Sequence, residues 1–93
     1  MQIRYHINPT TGLPHIYDHF VSENEVEEIL SRPLQDIHGR DDSRIAIGQT
    51  EEGRYLKVIY VSDPFSDSVF VIAAYELGPK AKRAIRRKRR KKP

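Results

Sequence analysis

Two apolar runs joined by a five-residue turn constrain this chain more than any other feature. Arg54 to Val61 and Ser68 to Tyr75 are rich in Val, Ile, Phe and Tyr and nearly continuous in apolar character, with Asp63-Pro64-Phe65-Ser66-Asp67 between them. Such runs predict central strands, buried on one face and partly covered on the other. The turn is too short for a crossover helix, so the pair is an antiparallel hairpin. Arg44-Ile45-Ala46-Ile47-Gly48 alternates and reaches Arg54 through the turn Glu51-Glu52-Gly53; Leu34 to Ile37 reads as a short edge strand. The expectation is four sequential antiparallel strands.

Helices bracket this sheet. Ser22 is an N-cap, and Glu25 three residues on completes a capping box. Val21 and Val26 form a hydrophobic staple around it, and Val26, Ile29 and Leu30 supply a core-facing stripe that Pro33 ends. Upstream, Pro14 suits the first turn of a short helix through Phe20. Ile3 to Ile7 reads as a short strand or an arm over the core. Gly78-Pro79 opens a last helix, with Ala81, Ala84 and Ile85 as its apolar stripe. The fold class is therefore α+β: helices, a four-stranded antiparallel sheet, then a basic C-terminal helix. Residues 1–93 form one domain, with an acidic body over 1–79 and a basic helix and tail over 80–93.

Charge divides at that boundary. Ten of the sixteen Lys and Arg residues lie in Lys80 to Pro93, while all thirteen carboxylates precede it. The body carries a formal −7 and the tail +10, hidden within an overall +3. A cationic block this dense calls for a polyanion: nucleic-acid phosphate, an anionic membrane or a carboxylate-rich partner. Phosphate leads, because each one neutralised releases condensed counterions. The plain alternative is a solvated tail. No cysteine is present, so disulfides and Cys-based zinc sites are excluded. No apolar run approaches the ~20 residues of a membrane span, and the N-terminus lacks a signal-peptide stretch. The expected setting is the cytoplasm, with no membrane partner.

The motifs point to a family. His19, the run Val21-Ser22-Glu23-Asn24-Glu25, Arg44 with Gly48, Gly53-Arg54-Tyr55-Leu56-Lys57-Val58-Ile59-Tyr60 and Val71-Ile72-Ala73-Ala74-Tyr75 occur in that order. Together they resemble the BrnT-like branch of the RelE/ParE type II toxins, over roughly residues 15 to 90. The resemblance implies a metal-independent endoribonuclease, without a small-molecule cofactor, neutralised by a small DNA-binding antitoxin protein. Two positions depart from it. Phe20 follows the motif histidine where the family usually has glycine, and Tyr75 stands where an arginine would act.

RNA cleavage through the 2′-OH needs an acid or base and groups that meet charge at the phosphate. His19 is the candidate for proton transfer, since an imidazole titrates near neutrality. Arg44, Arg54 and Tyr75 are the other catalytic candidates. Arg54 and Lys57, an odd offset apart on one strand, must face opposite ways. Lys57, Arg83, Arg86, Arg87, Arg89 and Arg90 are expected to bind RNA phosphate. His15 and His19 have the i, i+4 spacing of a metal pair but no third ligand nearby in sequence, so no metal site is assigned. A non-catalytic nucleic-acid-binding or regulatory module on the same fold is the alternative.

Overall fold

A computed structural model describes residues 1–90, with the side chains of Arg89 and Arg90 left aside. In chain order the elements are β1 (Gln2–Tyr5), a 3-10 helix (His15–His19), α1 (Glu23–Ser31), β2 (Gln35–His38), β3 (Arg44–Gln49), β4 (Tyr55–Ser62), β5 (Ser68–Glu76) and α2 (Pro79–Arg90). The five strands make one sheet in the order β1-β5-β4-β3-β2. β2 to β5 form the antiparallel meander their short turns require.

The four-strand antiparallel expectation needs one correction. β1 joins the sheet parallel to β5, pairing Gln2 with Ser68 through Tyr5 with Val71, so the sheet is mixed and five-stranded. The segment between β1 and β5 contains most of the fold, so no local turn announces this pairing. Ile3 and Tyr5 secure it by packing on the core.

α1 begins as its sequence dictates. The Ser22 hydroxyl accepts from the Glu25 backbone N–H at 3.2 Å, and Glu25 Oε1 accepts from the Ser22 N–H at 3.0 Å. Val26 and Ile29 then point at the sheet and are fully buried with Ile16, Val21, Ala46, Leu56, Val58, Val71 and Ala74. Gly48 lies directly beneath this helix: a Cβ there would meet Ile29 Cδ1 at 3.3 Å. One sheet face is thus sealed by α1.

The opposite face is covered only at one end. Ile85 of α2 packs with Tyr55 and Leu77, and Ile47 joins this small second cluster. The two helices therefore lie against opposite faces of the sheet. α2 is also rotated from its expected stripe: Ala81 and Ala84 are exposed, while Lys82 is half-buried one turn before Ile85. No helix among the described residues is long and apolar enough to cross a membrane.

Candidate functional site

Strand alternation sorts side chains onto two faces. The register Gln35–Ile47–Lys57–Tyr75 sets these four side by side across β2 to β5, on the face that α2 partly covers. Ile37, Ile45, Ile59 and Ala73 form the next row on that face. Asp36 and Glu76, the carboxylates within strands, belong to the α1 face, and so do the acidic residues of α1 itself. The body is acidic as a whole, yet no strand position on the α2 face carries a carboxylate.

The 3-10 helix brings histidines to this open face. β1 ends at Tyr5, after which the His6 N–H donates to Val71 O at 2.9 Å and His15 N–H donates to His6 O at 2.8 Å. The chain thus doubles back beside β5 where β1 has run out. Ile16 enters the core from there, while the His19 ring lies 4.4 Å from the Tyr75 ring, centroid to centroid and tilted by 58°. His15 is 5.3 Å from His19, and His6 is 5.7 Å from His15, both edge to face. Lys57 Nζ sits 5.6 Å from the centre of the Tyr75 ring, within cation–π range. A continuous row results: His6, His15, His19, Tyr75, Lys57.

Asp18 steadies the row. Its Oδ2 lies 3.0 Å from His15 Nδ1 and accepts from Asn8 Nδ2 at 2.8 Å. Among the described residues, no three His, Asp or Glu side chains are grouped so as to hold a metal ion.

The sequence candidates separate into two sets. His19, Tyr75 and Lys57 come together, with α2 against the same face; Arg83, Arg86 and Arg87 are exposed on that helix. Arg44 and Arg54 go to the α1 side. Arg44 Nε donates to Asp36 Oδ1 at 2.8 Å, and the Tyr60 hydroxyl donates to Asp36 Oδ2 at 2.5 Å. The hydrogen bond to Asp36 raises the Arg44 pKa above its ordinary value. Burial pushes the Tyr60 hydroxyl up, and its bond to Asp36 adds to this.

Arg54 is a junction. Its Nη1 donates to both Glu25 oxygens at 2.9 Å and to the Phe20 carbonyl at 2.9 Å, while Nε donates to Glu76 at 3.2 Å. One guanidinium therefore ties the end of the 3-10 helix, the cap of α1 and the end of β5. Burial disfavours charge on Glu25, but the Ser22 N–H and Arg54 outweigh it and hold the carboxyl below its usual range. As the odd offset requires, Arg54 turns toward α1 and Lys57 away from it.

Arg89 and Arg90, expected to bind phosphate, lie outside the side chains described. His15 was marked in the sequence only by its i, i+4 spacing from His19, and His6 by nothing, because an unannounced parallel pairing of β1 carries His6 there. Compared with protein-family models, curated proteins and solved structures, the chain matches none.

Proposed function

We propose that the α2 face binds single-stranded RNA and that the protein is a RelE/BrnT-like toxin-fold endoribonuclease working without metal in the cytoplasm, held in check by a small DNA-binding antitoxin. The observation that carries this reading is the His19–Tyr75–Lys57 row on a sheet face whose strand positions carry no carboxylate, flanked by a strongly cationic helix. Phosphate is attracted to that face and repelled from the one that α1 covers. Lys57 offsets charge at the phosphate, and Tyr75 stacks on a base or donates its hydroxyl to a phosphate oxygen. His19 takes the proton from the ribose 2′-OH. The O2′–P bond then forms, the P–O5′ bond breaks, and the departing O5′ takes up a proton, leaving a 2′,3′-cyclic phosphate and a 5′-OH. Arg54 and Arg44 act from the other face, as positioning residues.

Purified protein should cut single-stranded RNA in EDTA and leave cyclic phosphate ends. His19→Ala should lower the rate by about 100-fold or more, the usual loss for a proton-transfer group. A folded but inert wild type would leave the binding-module reading in its place. One observation favours that second reading: both candidate arginines are committed to carboxylates, and the cation in the row is Lys57, over the Tyr75 ring.

A further inference from the structure

Phe20 closes the 3-10 helix at φ 58° and ψ 37°, in the left-handed region. Glycine enters this region freely, whereas a Cβ is crowded there. Asp41 and Asp42 are the other described non-glycine residues with positive φ, and short polar side chains tolerate it better. The backbone of Phe20 is fully used: its N–H donates to Tyr17 O, and its carbonyl accepts from Arg54. The phenyl ring is not. It is 86% exposed and makes no ring contact among the described residues. The turn needs its geometry but has no need of an aromatic side chain, and glycine would serve it better. Phe20 nonetheless directly follows His19 in the chain, and the His19 ring rests on Tyr75.

We propose that Phe20 is a stacking platform for a nucleobase of single-stranded RNA bound across the His19–Tyr75 row. This rests on the RNA reading above. A base is the occupant favoured by charge, because Lys57 and α2 draw phosphate to the face that carries His19, the residue next to Phe20 in the chain. Base-on-aromatic stacking is sequence-tolerant, since every base has a π face. The Arg54 bond to the Phe20 carbonyl fixes the platform relative to α1 and β5, so little order is lost on binding.

The chain contains no tryptophan, so Phe20→Trp would place a sole indole at this position. Its emission should be quenched by a single-stranded oligoribonucleotide and unaffected by an abasic ribose-phosphate strand of equal length. Phe20→Gly should melt at a higher temperature than wild type, bind the oligoribonucleotide about fivefold or more weakly, and bind the abasic strand equally well. If wild type binds RNA and Phe20→Gly binds it as tightly, the platform is overturned while the RNA reading stands. Equal weakening on both strands, or a lower melting temperature for Phe20→Gly, also overturns the platform by making the ring a structural element. If wild type binds neither strand, both proposals fall.

Discussion

At the scale of single residues, position on the sheet decides what each cation does. Lys57 and Arg54 lie three residues apart along the chain, yet one faces an aromatic ring and the other two carboxylates. The odd offset made that separation legible from sequence alone. The partners of Arg54 were not legible, since Glu25 and Glu76 are distant along the chain. Arg54→Met should remove a partly buried, multiply bonded charge and destabilise the fold by about 2 kcal/mol, the range for hydrogen bonds to charged groups. Urea unfolding would measure this. RNA affinity per folded molecule should fall only as far as the Phe20 turn loosens. A large drop in affinity with unchanged stability would return Arg54 to the binding surface.

At the scale of elements, strong local signals were readable and long-range ones were not. The Ser22–Glu25 cap of α1, Pro79 at the head of α2 and the β4–β5 hairpin follow from a few neighbouring residues each. β1 was only an option, because parallel pairing with β5 depends on everything folded in between. The α1 cap also sets a pH dependence. The Glu25 pKa is lowered in the folded protein, so its stabilisation is complete above the unfolded value of about 4.3 and fades as pH falls through the folded value. Glu25→Gln should therefore be less stable than wild type at pH 7, with the gap closing in acid. Thermal melts at pH 7 and pH 3 would show it; a gap that widens in acid would contradict the assignment.

At the scale of the molecule, an acidic body is divided by its own sheet. The strand carboxylates and those of α1 collect on one side, and α2 docks on the other through Ile85. Charge separation along the chain was visible in the sequence; separation across the sheet needed the register. Since Ile85 is 6% exposed and Arg86 to Lys88 are exposed, core and charge should come apart experimentally. Ile85→Ala should cost about 2 kcal/mol, at the lower end for a buried isoleucine because its cluster is small. Removing the chain from Lys88 onward should cost less than ~1 kcal/mol. The same truncation should flatten the salt dependence of RNA binding by about 0.7 in slope for each phosphate left without its cation.

The claim that unites these scales is that one sheet face, and not the tail alone, is the RNA surface. Amide chemical shifts recorded during titration with a single-stranded oligoribonucleotide test it most directly. Changes are expected at His19, Phe20, Lys57, Ile59 and Tyr75 as well as along α2, with Val26, Ile29 and Arg44 unmoved. Changes confined to α2, or centred on α1 and Arg44, would contradict it.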